Sequence, residues 1–259
     1  MHDIEREKAI MEVLEKKGTI GVNRLAELVF CSGSTIRRDL TRMEEKGLVR
    51  RSFGAVSLPS VGGYDETSFS VRESVNITKK KLLAKAAASK LSSGMTVFID
   101  SSTTLYHIVR YLNDFKGLLI ITNGLKIAAE LSERTRHKII VIGGEVTSNS
   151  NSTLGSYATT QMGSFHADVA LMSCTGVSLE FGFTEASYDI AEIKKQMLQN
   201  ADKKIAVFDE SKFGLNKSFQ TCPIEGVDVV VVPTGFKREA AAEIKKRGVE
   251  VVFAASNAA

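Results

Sequence analysis

The segment Ser32–Leu40, SGSTIRRDL, decides the fold of the first part of this chain. Serine is favoured just before a helix because its hydroxyl accepts a hydrogen bond from a backbone N–H group of the first turn. Ile36, Leu40 and Met43 then recur at the spacing of one helix face. This pattern predicts an amphipathic helix that begins after Ser32.

The side of this helix that faces away from its apolar residues is basic, and so is the segment after it. Positions 37 to 51 hold six basic residues against three acidic ones. The planar guanidinium group of arginine reads guanine with two hydrogen bonds or clamps a phosphate. The pattern favours nucleic-acid binding, although such charges can also serve only to solvate a helix face. The six basic residues are Arg37, Arg38, Arg42, Lys46, Arg50 and Arg51.

Two further helices precede this one, and two short strands follow it. The first helix ends at a basic turn and Gly18, and the second covers about residues 22–28. Residues 48–51 and 55–58 are expected to form the strands. Together they make a winged helix-turn-helix, whose third helix enters the major groove of double-stranded DNA and whose half-site geometry implies a homo-oligomer. The candidate DNA-binding residues are Ser32, Ser34, Thr35, Arg37, Arg38, Arg42, Arg50 and Arg51.

From residue 77 onward, apolar strands alternate with amphipathic helices. Continuous apolar strands joined by helices indicate an α/β fold with a mostly parallel sheet that is covered on both faces. In such sheets, ligands bind outside the carboxyl ends of the strands. The predicted strands cover residues 96–99, 118–121, 139–142, 169–172, 205–208, 229–232 and 249–252.

The residues that follow these strands are mostly polar or glycine. Hydroxyls and backbone N–H groups at the start of a helix favour an anion. One lysine, several hydroxyls and three carboxylates at one rim suit a ligand with a phosphate at one end and sugar hydroxyls at the other. Each piece alone has a simpler interpretation, since Thr122 can be a plain helix cap and Gly143–Gly144 a plain turn. The candidate segments are Asp100–Thr104, Thr122–Gly124, Gly143–Glu145, Cys174–Gly176, Thr184–Glu185 and Asp209–Phe213.

A domain boundary is expected between these two halves. Residues 59–70, PSVGGYDETSFS, are rich in glycine, serine and acidic groups and show no periodicity. The alternative is a long surface loop within one domain. The prediction is a winged helix-turn-helix domain over residues 1–57, a linker over 58–76 and an α/β domain over 77–259.

The overall composition argues against several classes of protein. Hydrophobic residues make up 43% of the chain, and no apolar run is long enough for a membrane span. The charged N-terminus lacks the apolar stretch of a signal peptide. The three cysteines have neither disulfide nor zinc spacing, and the four histidines have no metal or triad spacing. We therefore expect a cytoplasmic protein with no membrane contact, no metal and no cofactor.

Three motifs in the first half resemble the signature of the DeoR-type family of bacterial transcriptional regulators. They are SGSTIRRDL at 32–40, EKGLVRR at 45–51 and GAV at 54–56. The family's segment usually reads V-S-x-x-T-I-R-R-D-L and its wing G-G-A-V, so Cys31 and Phe53 depart from the pattern. The resemblance implies a DNA-binding regulator and not an enzyme.

The second half, over roughly residues 79–234, resembles the sensor domain of the same family, whose fold is similar to ribose-5-phosphate isomerases and coenzyme A transferases. The resemblance implies a phosphorylated sugar as effector. Ser101, Thr103 and Thr104 would hold its phosphate, while Asp100, Glu185 and Lys212 would face the sugar or the phosphate charge. Two departures are Ser102, which replaces a glycine, and Ser173–Gly176, which lacks a frequent acidic residue. The candidate effector-binding residues are Asp100, Ser101, Ser102, Thr103, Thr104, Thr122, Asn123, Gly143, Gly144, Glu185 and Lys212.

Three functions are compatible with these features. The first is a repressor of a carbohydrate-utilisation operon that a phosphorylated sugar releases from its operator. The second, raised by Ser102, is a regulator whose sensor has lost its ligand and serves as an oligomerisation scaffold. The third is an isomerase-like enzyme with a DNA-binding arm, in which Lys212, Asp100 and Glu185 would transfer protons. The third is the weakest because nothing in the sequence pairs a base with an acid.

Overall fold

The structure is a computed structural model, and it describes residues 3–46, 48–52, 54–58, 69–147 and 149–255. The chain divides into two compact units, Met1–Val75 and Asn76–Ala259. None of the helices in these ranges is long and apolar enough to cross a membrane.

The first unit has three helices and a small antiparallel sheet, which confirms the predicted winged helix-turn-helix. Its elements are α1 (Asp3–Lys17), β1 (Ile20–Gly21), α2 (Val22–Leu28), α3 (Gly33–Glu45), β2 (Arg50–Ser52) and β3 (Ala55–Ser57). Strand β1 was not predicted; it pairs with β3 and gives the sheet order β1-β3-β2. The wing residue Phe53 lies outside the described residues.

The apolar stripe of α3 lies at the centre of the core of this unit. Ile36, Leu40 and Met43 are fully buried, as predicted, and they belong to one cluster with Leu14 of α1 and Leu25 of α2. Burying each such side chain is worth about 1.5–3 kcal/mol. The stripe therefore fixes the rotation of α3 and decides which of its side chains face outward.

A further helix lies in the segment that was predicted as a linker. Helix α4 (Phe69–Ser74) has a buried aromatic residue, Phe69, at its first position. Residues 59–68 lie outside the described residues.

The second unit alternates strands and helices along the chain. Its elements are α5 (Ile77–Ala88), β4 (Thr96–Ile99), α6 (Thr103–Tyr106), α7 (Val109–Leu112), β5 (Leu119–Thr122), α8 (Leu125–Arg134), β6 (Lys138–Val141), β7 (Glu145–Thr147), β8 (Ser152–Leu154), α9 (Ser156–Gly163), β9 (Ala167–Met172), β10 (Gly176–Ser178), β11 (Gly182–Glu185), α10 (Tyr188–Gln199), β12 (Ala201–Val207), β13 (Phe219–Cys222), β14 (Val229–Pro233), α11 (Arg238–Lys246) and β15 (Glu250–Ala254).

Seven strands form one sheet in the order β15-β14-β12-β9-β4-β5-β6, and all neighbouring pairs are parallel. These are the seven strands predicted from the sequence. Buried apolar clusters lie on both faces of the sheet. Coverage on both faces explains why the strands are apolar throughout instead of alternating.

The direction in which strands are added to the sheet reverses between β4 and β9. Strands β5 and β6 extend the sheet on the side of β4, whereas β12, β14 and β15 extend it on the side of β9. Open parallel sheets bind ligands in the crevice at the carboxyl ends of the strands where this reversal occurs. The fold therefore singles out the residues that follow Ile99 and Met172.

A small antiparallel sheet, β10-β11-β13, forms from the chain that follows β9 and from the segment after β12. It was not predicted, because its strands are only three or four residues long. Its middle strand, β11, ends at Glu185. The small sheet thus supplies one of the candidate effector residues.

Candidate functional site

The start of α3 presents a group of neighbouring hydroxyls. The Oγ atom of Ser32 accepts a hydrogen bond from the backbone N–H of Thr35 at 3.2 Å, so Ser32 caps the helix as predicted. The same oxygen lies 3.0 Å from Oγ of Ser34 and 2.8 Å from Oγ1 of Thr35. Ser32 and Ser34 are exposed. Hydroxyls in this position suit contacts to phosphate oxygens, which set the register of a protein on DNA.

The two arginines that follow are exposed, but they differ in their contacts. Nη2 of Arg37 donates to Oδ1 of Asn23 in α2 at 3.0 Å, so its guanidinium is held across the two helices. In the described ranges, Arg38 is exposed and makes no hydrogen bond or ion pair. Arg38 is therefore free to contact DNA without first breaking an internal bond.

Asp39 lies on the buried side of α3 and does not face solvent. It is 1% exposed and accepts hydrogen bonds from Nε of Arg6 at 2.5 Å and from Nη2 of Arg6 at 3.1 Å. It also pairs with Nη2 of Arg42 at 2.5 Å. The hydrogen bonds from Arg6 are the largest cause of a lowered pKa of Asp39 and outweigh the effect of burial, which raises it. This network ties α1 to α3 and engages Arg42, a candidate DNA-binding residue whose side chain remains 39% exposed.

The two candidate arginines of the wing lie on β2. Arg50 is exposed, and Arg51 is half-buried. Nη1 of Arg51 donates to Oγ1 of Thr41 at 2.9 Å, and its backbone N–H donates to Oε1 of Glu44 at 2.9 Å. These contacts fasten the wing to α3, so the basic groups of both elements belong to one surface.

In the second unit, Asp100 lies at the reversal point of the sheet and bridges its two halves. The residue follows β4 and is 1% exposed. Its Oδ1 atom accepts from the backbone N–H of Ser102 at 2.9 Å, and its Oδ2 atom accepts from the backbone N–H of Ser173, after β9, at 2.8 Å. A single carboxylate thus fixes the loops that leave both central strands.

A buried lysine joins Asp100 to Glu185, and sequence reasoning missed it. Nζ of Lys194 lies 3.1 Å from Oδ2 of Asp100 and 2.6 Å from Oε1 of Glu185, and it donates to the carbonyl of Ser173 at 2.8 Å. Oε2 of Glu185 accepts from Oγ1 of Thr175 at 2.5 Å. We call Asp100, Lys194 and Glu185 the central network.

The charge of Lys194 is stabilised within this network. Burial alone would lower its pKa, but the carboxylates of Glu185 and Asp100 outweigh that effect and raise it above its ordinary value. A signal for this residue was present in the sequence. Lys194 falls on the apolar face of α10, between Ile190 and Met197, where an unpaired charge would be costly.

The hydroxyl-rich segment after Asp100 is partly buried beside this network. Ser101, Thr103 and Thr104 are buried, whereas Ser102 is half-buried. Ser102 has φ −72° and ψ 148°, which is ordinary extended backbone, and its Oγ accepts from the backbone N–H of Leu105 at 3.3 Å. The position does not require glycine, and the Ser102 side chain serves as the cap of α6.

Thr122 and Asn123 follow β5, the strand next to β4. Oγ1 of Thr122 accepts from the backbone N–H of Gly124 at 3.0 Å, which is a local contact. Nδ2 of Asn123 donates to the carbonyl of Thr153 at 3.1 Å. Its buried Oδ1 atom has no hydrogen-bond partner in the described residues. A Cβ on Gly124 would lie 3.0 Å from Cα of Ser101, so the two loops are in close contact.

The glycine pair Gly143–Gly144 lies after β6, two strands away from β4. The backbone N–H of Gly143 donates to Oε1 of Gln161 in α9 at 2.6 Å. Gly144 has φ +143°, and a Cβ there would lie 2.6 Å from the carbonyl oxygen of Leu154 and 2.9 Å from Cβ of Ala158. Gly144 is thus needed where the chain turns against α9, whereas a Cβ on Gly143 would only reach ordinary contact distance from Gln161.

Lys212 lies in a short 3₁₀ turn after β12, on the other side of β9 from Asp100. The turn is capped by Asp209, whose Oδ1 atom accepts from the backbone N–H of Ser211 at 2.9 Å. Burial is the main cause of a raised pKa of the Cys174 thiol, and the charges of Glu185, Lys194, Lys212 and Asp209 all act on that group. Asp100 and Glu185 meet at the loop after β9, and the chain just after the Lys212 turn contacts β10, because the N–H of Gly214 donates to the carbonyl of Val177 at 2.8 Å.

A basic winged helix-turn-helix followed by an α/β unit with a buried polar network defines a DNA-binding regulator with an attached second domain. The family description "DeoR-like helix-turn-helix domain" matches residues 6–61, and "DeoR C terminal sensor domain" matches residues 75–234. The chain belongs to the DeoR family of transcriptional regulators. It is a transcriptional regulator and not an enzyme, as the sequence predicted.

Several named transcriptional regulators match almost the whole chain. The HTH-type transcriptional regulator GolR from Listeria innocua is 30% identical over 255 residues, which cover 98% of this chain and 100% of that protein. The glycerol-3-phosphate regulon repressor from Escherichia coli is 29% identical over 230 residues, which cover 89% of this chain and 90% of that protein. The putative aga operon transcriptional repressor from Escherichia coli O157:H7 is 29% identical and covers 96% of this chain and 93% of that protein.

Among the solved structures that the chain matches is ribose 5-phosphate isomerase A from Methanocaldococcus jannaschii. The two chains are 14% identical, with a TM-score of 0.40 over 53% of this chain and 55% of the isomerase. The eIF2B beta subunit from Chaetomium thermophilum is 13% identical, with a TM-score of 0.40 over 80% of this chain and 56% of that chain.

Proposed function

We propose that this chain is a repressor of a carbohydrate-utilisation operon and that a phosphorylated sugar releases it from DNA. The observation that carries the proposal is the central network, which lies at the reversal point of the sheet beside the hydroxyl-rich segment Ser101–Thr104. This is the position in which open parallel sheets bind ligands.

The chemistry of the site suits a ligand with two different ends. The central network contains two carboxylates and one ammonium group, and carboxylate oxygens accept hydrogen bonds from sugar hydroxyls. We assign the phosphate to the hydroxyls of Ser101, Thr103 and Thr104 and to the ammonium group of Lys212. Asn123 adds a buried amide oxygen that has no partner among the described residues and can accept from a sugar hydroxyl.

The burial of the network supplies a mechanism for regulation. Asp100 is 1%, Glu185 2% and Lys194 5% exposed, and these side chains contact one another and the loop after β9. A sugar that hydrogen-bonds to these carboxylates must replace contacts between the loops after β4 and β9. A ligand shifts a conformational equilibrium only when it binds the two states unequally. In this proposal, the loops after β4 and β9 have two arrangements, and the effector binds one arrangement more tightly than the other.

The names of the relatives agree with this assignment. One is a glycerol-3-phosphate regulon repressor and another a putative aga operon repressor. We infer that this chain likewise represses genes whose substrate or product is a phosphorylated carbohydrate.

In the DNA-binding part of the proposal, residues at the start of α3 recognise the bases. Arg38 and Thr35 read base edges, while Ser32, Ser34 and Arg37 contact the backbone, and Arg50 and Arg51 of the wing bind adjacent phosphates. A homo-oligomer presents two such units to repeated half-sites about one helical turn apart. Because the phosphate contacts release counterions, the affinity falls steeply as salt rises.

The effector assignment is tested by thermal unfolding of the full chain with pentose and hexose phosphates and with the same sugars lacking phosphate. A ligand of the native state raises the unfolding temperature. We therefore expect at least one phosphorylated sugar to raise it, whereas the same sugar without phosphate should leave it unchanged. Lys212→Ala should remove the shift. The control Lys246→Ala, at an exposed lysine of α11 that pairs with Glu243, should retain it.

Two outcomes contradict the proposal. If no compound at millimolar concentration shifts the unfolding temperature, the second unit acts as a ligand-free oligomerisation scaffold. If sugars bind equally well without phosphate, the assignment of Ser101–Thr104 and Lys212 to a phosphate is wrong.

A further inference from the structure

The turn between α2 and α3 contains a phenylalanine where helices usually end with glycine. Phe30 has a left-handed backbone with φ 54°. Its N–H donates to the carbonyl of Glu27 at 3.2 Å, and the N–H of Cys31 donates to the carbonyl of Ala26 at 2.9 Å. This pair of bonds is the Schellman pattern, whose left-handed residue is commonly glycine because a side chain is strained there.

The ring of Phe30 is also almost fully exposed. Its relative exposure is 93%, whereas the neighbouring Cys31 packs against the core of the unit. Large apolar side chains normally gain stability from burial. Phe30 gains nothing from burial and is placed in a strained conformation, so the stability of this unit does not explain its presence.

Phe30 lies next to the surface that α3 presents to DNA. Only Cys31 separates it from the cap Ser32, and a step of two positions along the chain spans at most about 7 Å. The exposed residues Ser34, Arg37 and Arg38 continue this surface along the helix. Arginine neighbours favour a polyanion as the partner over an apolar protein surface.

We propose that Phe30 is a DNA-contacting residue whose ring packs against the 5-methyl group of a thymine at the edge of the bases that α3 reads. The thymine methyl is the apolar feature of base edges in the major groove, and apolar side chains including phenylalanine contact it. The left-handed backbone turns the side chain out of the unit at the position where α3 begins. The inference concerns DNA binding and does not depend on the proposed effector.

The test uses a duplex selected by the wild-type protein from a random pool, in which each thymine is replaced in turn by deoxyuridine, which lacks the methyl group. For the wild type, we expect that replacement of one particular thymine in each half-site lowers the affinity about fivefold or more. This factor is at the lower end of the cost of one mismatched base pair. Phe30→Gly should lose a similar factor on the unmodified duplex and lose nothing further on that deoxyuridine duplex. Leu28→Ala, at a partly exposed leucine two residues earlier, is the matched control and should behave as the wild type.

Two further measurements separate this contact from other causes. Phe30→Gly should unfold at a temperature equal to or above that of the wild type, because glycine relieves the left-handed strain. The slope of log affinity against log salt should stay unchanged, because the ring neutralises no phosphate.

Unchanged DNA affinity of Phe30→Gly would overturn the proposal. It would also be overturned if the substitution changed the mass of the oligomer, since the ring would then contact a second copy. The proposal is likewise overturned if the wild-type protein binds every deoxyuridine duplex as tightly as the unmodified duplex.

Discussion

Replacement of Lys194 by methionine removes the cation that two buried carboxylates share. Methionine keeps much of the length and apolar volume of the side chain but cannot donate to Asp100, Glu185 or the carbonyl of Ser173. We expect Lys194→Met to destabilise the second unit strongly, because it leaves buried charge uncompensated.

The expected magnitude follows from the burial of this network. All three side chains are at most 6% exposed, and removal of one partner from such a pair typically costs about 3–5 kcal/mol. For a domain of the size of Asn76–Ala259, each kcal/mol shifts the unfolding temperature by about 2–4 °C. The unfolding temperature should therefore fall by roughly 6–20 °C.

The assay is scanning calorimetry of the full chain, which resolves the transitions of the two units. The control is Lys195→Met, which changes the next residue of α10, where the lysine is 37% exposed and pairs with Glu192. This exposed pair is worth at most about 1 kcal/mol. Addition of Glu185→Gln to Lys194→Met should recover part of the loss, because one of the two unpaired carboxylates is then neutral.

The reasoning is refuted if Lys194→Met and Lys195→Met are equally stable. It is also refuted if Glu185→Gln and Lys194→Met destabilise additively, because residues of one network must show coupling.

Three further predictions concern the two proposed sites. Arg38→Ala should weaken binding to a selected duplex by about 1–3 kcal/mol and relax specificity at one base pair, while leaving the fold intact; Lys8→Ala, at an exposed lysine of α1, should bind normally in the same titration. Because Asp39 has a lowered pKa in the folded state, its contribution to stability is present above its ordinary value of 3.8 and is lost as the pH falls below that value. Asp39→Asn should therefore be less stable than the wild type in urea unfolding at neutral pH, and the difference should shrink below about pH 4; a constant difference at all pH values would contradict this. Lys212→Ala should bind the duplex normally but should not be released by the effector, and a normal release would remove Lys212 from the site.

The sequence predicted much of the fold because periodicity and turn residues are local signals. The stripe of Ile36 and Leu40 fixed α3, and seven apolar runs identified the seven strands of the parallel sheet. Strand β1 was missed because two residues carry no periodicity, and it exists only through pairing with Val56 and Ala55.

The charged residues were harder to place than the apolar ones. Asp39 falls at the spacing of the buried stripe, but a carboxylate is seldom buried unless it is paired. Its partner Arg6 is 33 positions away and cannot be recognised from the sequence. The place of Lys194 on the apolar face of α10 signals a paired charge, but it does not identify the partner Asp100, which comes from a strand far away in the chain.

The candidate effector residues converge only in part. The predicted Asp100 and Glu185 meet through Lys194, whereas Gly143 and Gly144 turn against α9. The carboxyl ends of parallel strands all lie on the same side of a sheet. The order of the strands decides which of these ends are neighbours. The sequence did not show that β4 and β9 are adjacent, and that adjacency brings Asp100 to the loop after β9.

The most direct test of the account is the affinity of the full wild-type chain for its selected duplex, measured by fluorescence anisotropy with and without the phosphorylated sugar that raises its unfolding temperature. Coupling between two sites is typically about 1–3 kcal/mol, so the account predicts that a saturating concentration weakens DNA binding by about 5- to 150-fold. An unchanged affinity at saturation would show that the second unit binds the sugar without controlling the first.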